Sequence, residues 1–302
     1  MTTVQEKRFD GQVAVVTGAG AGMGREHAKL LGSRGASVVV NDLSQGAEET
    51  VRMIVEAGGK AVVNHDDVST EAGGAAIIEN AIREFGRIDI LVSNAGIIKN
   101  VPFSEMTADQ FDKVMRVNAY GAFYVTKAAW PHFLKQNYGR IVLVSSSSAF
   151  VSQPLISQYA ASKGAILGMG KSLAEEGAAH GITVNMLAPG AFTAMAGAME
   201  DEEARKRMET MMPASLVAPV VAWLAHKDNK LNGEIVEAAS GRAALNFVGS
   251  AKGYWNKNLT IEDLFANQEK VLDKEGFATL ENTVVLSSWM TDNTGWAEEF
   301  GK

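Results

Sequence analysis

The sequence contains no cysteine among its 302 residues. A chain without cysteine forms no disulfide and no thiolate metal site, and it is typical of a reducing compartment. The sequence also lacks an uncharged apolar run of the roughly 18 residues that a membrane-spanning helix needs. Its first residues, MTTVQEKRFDGQ, lack the apolar centre of a signal peptide. We therefore expect a cytoplasmic protein without a membrane partner.

Basic residues are too few for nucleic-acid binding of the usual kind. The chain has 28 lysine and arginine residues against 35 aspartate and glutamate residues, which gives a net charge of −7. Because nucleic-acid-binding domains usually carry a basic excess, we expect no nucleic-acid partner. The five histidines are not grouped at metal-ligand spacing, and we therefore expect no metal site.

Short apolar runs alternate with longer helical stretches along most of the chain. The runs are continuously apolar, which indicates strands buried on both faces, as in a parallel sheet between two helix layers. The runs are Val13–Val16, Ala36–Asn41, Ala61–Asn64, Ile88–Val92, Arg140–Val144, Ile182–Met186 and a last start at Ile235. The pattern predicts an α/β fold with a Rossmann-type, doubly wound parallel sheet.

We expect a single Rossmann domain over residues 1–242, because no proline-rich or low-complexity linker interrupts the chain before residue 240. Residues 243–302 break the strand–helix rhythm and contain Trp255, Trp289, Trp296 and the amphipathic stretch Ile261–Leu272. This segment is short for a separate domain. We expect a C-terminal extension that packs on the core or on a neighbouring subunit.

A glycine-rich turn directly follows the first predicted strand and opens a helix. It reads Thr-Gly-Ala-Gly-Ala-Gly-Met-Gly over residues 17–24 and includes Gly18, Gly22, Met23 and Gly24. Glycines let backbone N–H groups approach a pyrophosphate at the N-terminus of a helix. The strand–turn–helix context therefore predicts a dinucleotide cofactor.

Asp42 ends the second predicted strand, 20 residues after Gly22. A carboxylate at this place can accept hydrogen bonds from the ribose hydroxyls of adenosine. It would also repel the 2′-phosphate of NADP, so we predict NAD as the cofactor. The alternative is that Asp42 is a solvated residue at a strand end.

Two further groups of residues follow predicted strands. Asn94, Ala95 and Gly96 come after the fourth strand, where small side chains would let the backbone lie against the cofactor. Asp67 and Val68 come after the third strand, where they would border the adenine. Each group would also fit an ordinary turn at a strand end.

Tyr159 and Lys163 are four residues apart and therefore share one face of a predicted helix. A tyrosine has an ordinary pKa of about 10, and a nearby cation lowers it, which makes the pair a usable general acid–base. Ser146, 13 residues before Tyr159, would hold the substrate oxygen. Asn118, on a long helix predicted from about Ala108, would bind a water that links Lys163 to solvent. Helix packing alone would also explain a Tyr–Lys pair, but the cofactor motif upstream favours catalysis.

With these residues in this order, the sequence resembles the short-chain dehydrogenase/reductase family. The resemblance implies that Tyr159 is the acid–base and that Lys163 binds the nicotinamide ribose. It implies that Ser146 positions the carbonyl and that Asn118 completes a proton relay. It also implies a Rossmann fold and a homodimer or homotetramer. The residues that carry it are 17–24, Asp42, 94–96, Asn118, Ser146, Tyr159, Lys163, Pro189 and Gly190, the last two expected at the cofactor.

A narrower resemblance is to the dehydrogenase domains of the peroxisomal multifunctional enzymes, a branch of that family. It rests on Val39–Leu43, Ala128–His132, Tyr138–Val142 and Val217–Leu224. The resemblance implies that the enzyme interconverts a secondary alcohol and a ketone on a bulky apolar substrate. The implied substrate is either a (3R)-3-hydroxyacyl-CoA or a 17β-hydroxysteroid.

Residues 191–217 contain five methionines and lie where the family carries a substrate lid. Methionine adapts to irregular apolar ligands, although an amphipathic helix with methionine as core filler would look the same. An apolar pocket wall is expected from Phe150, Val151, Leu155 and Ile156.

Two other functions stay open from the sequence. One is a non-catalytic NAD-binding sensor or scaffold, and the other is a short-chain dehydrogenase for another small alcohol or ketone. The presence of Tyr159, Lys163 and Ser146 favours an enzyme over a sensor.

Overall fold

The computed structural model describes residues 5–151, 153–192, 201–280 and 282–295. The chain forms two compact units, Met1–Leu245 and Asn246–Lys302. The boundary between the units lies a few residues beyond the predicted end of the Rossmann domain at residue 242.

The first unit is built on one sheet, which has eight strands in the described part of the chain. The strands are β1 (Val13–Thr17), β2 (Ser37–Asn41), β3 (Lys60–Asn64), β4 (Ile90–Ser93), β5 (Gly139–Val144), β6 (Ile182–Gly190), β7 (Ile235–Ala239) and β8 (Arg242–Asn246). Their order is β3-β2-β1-β4-β5-β6-β7-β8, and every pair from β3 to β7 is parallel. The predicted Rossmann-type sheet is confirmed.

Helices cover both faces of this sheet. The helices of the first unit are, in chain order, α1 (Gly22–Ser33), α2 (Gly46–Glu56), α3 (Glu71–Phe85), α4 (Ala108–Met115), α5 (Gly121–Gln136), α6 (Ser157–Ala178), α7 (Glu202–Met211) and α8 (Ala218–Ala225). Because side chains alternate along a strand, Ala14 and Val16 pack with α1, α2 and α8, whereas Val13 and Val15 pack with α3, α5 and α6. The apolar continuity of the strands thus follows from burial on both sides.

The strand order reverses between β1 and β4. Connections leave these two strands toward opposite sides, so a crevice opens beyond their carboxyl ends. The segments that follow β1 and β4 contain two groups of the predicted cofactor residues. The fold therefore brings the glycine turn and residues 94–96 to one edge of the sheet.

The long helix predicted from Ala108 is interrupted. α4 ends at Met115, a π-helical turn spans Arg116–Tyr120, and α5 begins at Gly121. In this turn the Gly121 N–H donates to the carbonyl of Arg116. Such turns insert one residue into a helix and are frequent at functional sites. Here the turn holds Asn118, which is buried.

The second unit has little regular structure in its described residues. A short antiparallel pair joins β9 (Gly249–Ser250) to β10 (Ala278–Thr279). The amphipathic stretch forms two helices, α9 (Ile261–Ala266) and α10 (Gln268–Leu272), and α11 (Thr283–Asp292) follows. The rings of Phe247 and Phe277 stack with their centres 5.8 Å apart.

One stretch, Glu202–Ala225, is by length and composition apolar enough to cross a membrane. It is not a single continuous helix, because Pro213 and a 3-10 turn at Ala214–Leu216 separate α7 from α8. This stretch is therefore weak evidence for a membrane location.

Candidate active site

Two cavities lie at the carboxyl ends of the strands and share Gly96 as a lining residue. The first has a volume of about 620 Å³ and is lined by residues that follow β1 to β4. The second has a volume of about 550 Å³ and is lined by Ser146, Tyr159 and Lys163. After the predicted roles of their lining residues, we call them the adenosine cavity and the catalytic cavity, two parts of one cleft that adjoin at Gly96.

The crevice between β1 and β4 is fixed by hydrogen bonds between the segments that follow them. The Thr17 hydroxyl accepts from the N–H groups of Asn94 and Ala95, at 3.0 and 3.1 Å. In return, Asn94 Nδ2 donates to the carbonyls of Thr17 and Gly18, at 2.9 and 3.1 Å. Gly18 has φ of 63°, a left-handed conformation in which glycine is unstrained. The glycine turn is therefore held against residues 94–96.

The N-terminus of α1 points out of this turn. Its N-cap is Ala21, which provides no side-chain hydrogen bond to the first turn of the helix. The first N–H groups of a helix need an acceptor, and they favour an anion. Gly24 is buried behind the turn, where a Cβ would clash with the carbonyl of Gly18. The turn thus has the free N–H groups and the tight backbone that a pyrophosphate site requires.

Asp42 lies at the end of β2 and lines the adenosine cavity. Its Oδ2 accepts from the N–H of Gly20 at 3.0 Å, and its Oδ1 accepts from the N–H and the hydroxyl of Ser44, at 2.8 and 2.7 Å. A carboxylate has about four acceptor positions, so one position is left for a ligand hydroxyl. The carboxylate also carries its negative charge into the cavity.

The rest of the adenosine cavity combines predicted and unpredicted residues. Asp67 and Val68 line it as predicted, and the Asp67 carboxylate accepts from the N–H of Ser69 at 2.8 Å. Gly18, Ala95 and Gly96 line it from the crevice. Residues not foreseen from the sequence also contribute, namely Asp66, Asp109, Asp112, Lys113 and Arg116.

Tyr159 and Lys163 lie on adjacent turns of α6 and both line the catalytic cavity. Lys163 is buried, and its Nζ donates to the carbonyl of Val144 at 2.7 Å. The same Nζ lies 5.6 Å from the centre of the Tyr159 ring. The backbone carbonyl of Lys163 accepts from the Ser145 hydroxyl at 2.8 Å, which ties α6 to the end of β5.

Burial dominates the electrostatics of this pair. It lowers the pKa of Lys163 to about 8, because the charged ammonium is less well solvated inside the protein. Burial also raises the pKa of Tyr159, while a hydrogen bond from Ser146 lowers it. The expected lowering of the tyrosine pKa is therefore opposed by burial. On balance the pKa of Tyr159 is raised, so the lowering expected from the sequence is wrong for this structure.

Asn118 lies behind Gly96 rather than in the lining of the cavity. Its Oδ1 accepts from the N–H of Ile97 at 2.8 Å, and its Nδ2 donates to the Ile97 carbonyl and to the Ser162 hydroxyl, both at 3.0 Å. A Cβ at Gly96 would lie 3.3 Å from Asn118 Oδ1. The side chain is thus largely used in joining the segment after β4 to α6, and the water relay stays a prediction.

The remaining predicted cofactor residues differ in position. Met23, Asn94 and Pro189 line the catalytic cavity. Gly22 belongs to the glycine turn but lines neither cavity. Gly190 lies beside the Met212 side chain, since a Cβ there would be 3.1 Å from the methionine Cε.

The expected apolar wall is largely absent from the cavity. Ile156 is buried and lines it, whereas Phe150, Val151 and Leu155 are exposed and do not. In the lid region, Met195 and Met199 lie outside the described residues, and α7 buries none of its side chains.

Several polar residues of the catalytic cavity were missed from the sequence, namely Asn100, Ser145, Ser148 and Gln153. Ser145 and Ser148 are the two ends of the run of four serines that contains Ser146, which was a signal available in the sequence. Ser162 was missed as well, although it lies within the Tyr159–Lys163 motif. In the described ranges, no group of three or more His, Asp or Glu side chains is placed to hold a metal.

Known proteins are similar to this chain over most of its length. Residues 12–206 match the family model described as short chain dehydrogenase. The chain is 38% identical over 276 residues to a short-chain type dehydrogenase/reductase of Mycobacterium tuberculosis, with 88% of this chain and 95% of the relative covered. It is 38% identical over 280 residues to peroxisomal multifunctional enzyme type 2 of Mus musculus, with 88% of this chain and 37% of the relative covered.

Two solved structures are also similar. Full-length peroxisomal multifunctional enzyme type 2 of Drosophila melanogaster has a TM-score of 0.81 at 33% identity, over 94% of this chain and 49% of that chain. A 7α-hydroxysteroid dehydrogenase, complexed with NADH and 7-oxo glycochenodeoxycholic acid, has a TM-score of 0.72 at 29% identity, over 79% of this chain and 96% of that chain. The chain thus spans less than half the length of the two multifunctional relatives.

The burial of Lys163 predicts how stability changes with pH. Because its pKa in the folded protein is lowered to about 8, the unfolded chain binds one more proton between pH 8 and about 10. The free energy of unfolding of wild type, relative to that of a Lys163→Met variant, should therefore rise by on the order of 1–3 kcal/mol across this pH range.

The measurement is urea unfolding of both proteins at pH 7 to 10 without cofactor. Lys135→Met, at an exposed lysine of α5, controls for the loss of a positive charge. A constant difference between wild type and Lys163→Met would contradict the burial argument.

Proposed function

Because the chain belongs to the short-chain dehydrogenase/reductase family and is an oxidoreductase acting on CH–OH groups, we propose that it uses NAD to interconvert a secondary alcohol and a ketone on a bulky apolar substrate. The membership confirms the resemblance found in the sequence. The NAD dependence and the substrate are the proposed part.

The main support for the proposal is the set of groups that line the two adjoining cavities. Gly18 of the turn and Asp42 line the adenosine cavity, whereas Met23, in the uncapped first turn of α1, lines the catalytic cavity together with Ser146, Tyr159 and Lys163. A turn that can bind an anion, with a carboxylate that can accept from ribose hydroxyls on one side and an acid–base pair on the other, fits a dinucleotide. No other cavity described in the first unit combines these groups.

The residues present fit NAD along the length of the cleft. The Gly18–Gly24 turn would hold the pyrophosphate, Asp42 the adenosine ribose, and Asp67 with Val68 the adenine. On the catalytic side, Lys163 would hold the nicotinamide ribose. Residues 94–96, Met23, Pro189 and Gly190 would enclose the cofactor. When bound, NAD supplies the hydride acceptor for alcohol oxidation.

The protein's own side chains handle the proton. Tyr159 Oη would take the proton from the substrate hydroxyl, since it is the titratable group of the cavity that also contacts Ser146. Ser146 would donate a hydrogen bond to the substrate oxygen. The Lys163 ammonium favours the phenolate through its charge. Asn118 positions this set by joining the segment after β4 to α6.

The substrate is proposed from the relatives. Those relatives include peroxisomal multifunctional enzymes and a 7α-hydroxysteroid dehydrogenase. Together with the narrower resemblance found in the sequence, they favour a (3R)-3-hydroxyacyl-CoA or a 17β-hydroxysteroid as the alcohol. The polar side chains of Asn100 and Gln153 in the catalytic cavity favour a substrate with a second oxygen near the reacting carbon, a feature of the hydroxyacyl thioester.

The first test is a panel of (3R)-3-hydroxyacyl-CoA esters, 17β-hydroxysteroids and small secondary alcohols, followed by NADH absorbance. We expect turnover with one of the first two classes. Tyr159→Phe should lower kcat by about 10²–10⁴-fold while NAD affinity is unchanged, because only the proton acceptor is lost. Tyr138→Phe is the matched control, since this phenol lies by the amino end of β5, at the opposite edge of the sheet.

Different outcomes identify the alternatives. Turnover only with small alcohols would assign the chain to another substrate class. NAD binding without turnover of any alcohol would identify a sensor or scaffold and overturn the proposal.

The cofactor preference is tested at Asp42. Asp42→Asn keeps an acceptor for the Gly20 N–H but removes the charge, so the ratio of kcat/KM for NAD to that for NADP should fall by about 10–100-fold. Asp112→Asn, at an exposed carboxylate lining the same cavity, should leave the ratio unchanged. An equal ratio in Asp42→Asn and wild type would show that Asp42 does not select the cofactor.

We further propose a homodimer or homotetramer. The support is a shallow groove of about 510 Å³ on α5 and α6, lined by apolar residues that include Phe123, Trp130, Met169 and Leu173. A second copy would bury this face against the same face of the first copy, about a two-fold axis.

Light scattering should give a molar mass that is a multiple of the 32.2 kDa chain mass. Leu173→Glu should reduce this molar mass, because it places a charge in the groove. Val55→Glu, at an exposed apolar residue of α2, is the control. A monomeric wild type would contradict the proposal.

A further inference from the structure

We propose that Ser148 is a positioning residue of the active site, whose hydroxyl donates to Ser146 Oγ and directs the Ser146 proton toward the reacting oxygen. The two hydroxyl oxygens lie 2.6 Å apart, a short distance for hydroxyl groups. Both residues line the catalytic cavity. The inference rests on the proposed function, in which Ser146 contacts the substrate oxygen.

The local backbone brings the two side chains together. Ser146 follows β5 in an extended conformation, with φ of −164°, and is the N-cap of a 3-10 turn at Ser147–Ala149. The Ser148 N–H donates to Ser146 Oγ at 3.2 Å, and the Ala149 N–H donates to the Ser146 carbonyl at 3.1 Å. The turn thus folds the Ser148 side chain back over Ser146, while the intervening Ser147 is exposed.

The direction of the hydroxyl bond follows from counting donors and acceptors. A serine hydroxyl has one proton and two lone pairs. One lone pair of Ser146 Oγ already accepts from the Ser148 N–H. If the Ser148 hydroxyl fills the second lone pair, the Ser146 proton is the only group left to face the cavity. A ketone oxygen or a developing alkoxide only accepts, so it requires that proton.

The opposite direction would remove Ser146 from the reaction. Its proton would then point to Ser148 and be absent from the cavity. In the described residues, Ser148 Oγ has no hydrogen-bond partner other than Ser146, so its proton has no competing acceptor. Before substrate binds, the same Ser146 proton is available to Tyr159, and a hydrogen bond from Ser146 lowers the pKa of that phenol. A Ser146 proton that faces the cavity thus requires the Ser148 hydroxyl to be the donor between the two serines.

Such a chain strengthens the last bond. Consecutive hydroxyl bonds polarise one another by an estimated 10–30% per bond. Ser148 also prevents rotation of the Ser146 hydroxyl away from the substrate. Its contribution should therefore appear in the rate of the chemical step and in the ionisation of Tyr159, and it should vanish when Ser146 is absent.

The kinetic test compares Ser148→Ala with Ser147→Ala, the exposed control from the same serine run. We expect kcat to fall about tenfold in Ser148→Ala, the size of one hydrogen bond to the transition state, with KM for NAD unchanged. Ser147→Ala should match wild type, and Ser148→Thr should restore most of the loss. In a Ser146→Ala background, Ser148→Ala should have no further effect. The inference would be overturned if the losses of kcat in Ser146→Ala and Ser148→Ala were fully additive in the double variant. Equal kcat values for Ser148→Ala and Ser147→Ala would overturn it as well.

A spectroscopic test does not depend on turnover. Ultraviolet difference absorbance against Tyr159→Phe reports the ionisation of the Tyr159 phenol in protein without cofactor. Because Ser146 would no longer be oriented, the pKa of Tyr159 should be higher in Ser148→Ala than in wild type. An unchanged titration would overturn the role of Ser148. Absence of turnover across the substrate panel, with this shift present, would instead overturn only the proposed function.

Discussion

The reversal of strand order between β1 and β4 is the constraint on which the site depends. It opens a crevice at the carboxyl edge of the sheet, and parallel strands deliver their following segments to that same edge. The crevice is narrow because Thr17 and Asn94 exchange hydrogen bonds across it. Gly18 and Gly96 add no further side chains to it. The glycine turn, the Asp42 carboxylate and the catalytic side chains are consequently arranged along one cleft.

A second constraint is the buried ammonium of Lys163. A buried cation is costly, and here it is stabilised by the Val144 carbonyl while its pKa falls to about 8. Around it, Asn118, Ser145 and Ser162 join three segments of the chain by hydrogen bonds. The site therefore combines an unfavourable buried charge with a rigid polar frame. Functional sites commonly sacrifice stability in this way.

The catalytic cavity is more polar than its flanking sequence predicts. Phe150, Val151 and Leu155 lie between Ser146 and Tyr159 in sequence, yet they point to solvent. The 3-10 turn after β5 instead returns Ser148 to the cavity. A bulky substrate would thus meet hydroxyl and amide groups near the reacting carbon.

The sequence alone determined the features that depend on neighbouring residues. These are the strand–helix alternation, the glycine turn, the carboxylate of Asp42 at a strand end and the spacing of Tyr159 and Lys163 on one helix face. Each follows from local periodicity or backbone freedom. Only the tertiary structure decided the contacts between distant segments, such as Asn118 with Ile97 and Lys163 with Val144. The π-helical turn illustrates the reason: one inserted residue turns a helix face by about 100°, and no local pattern announces it.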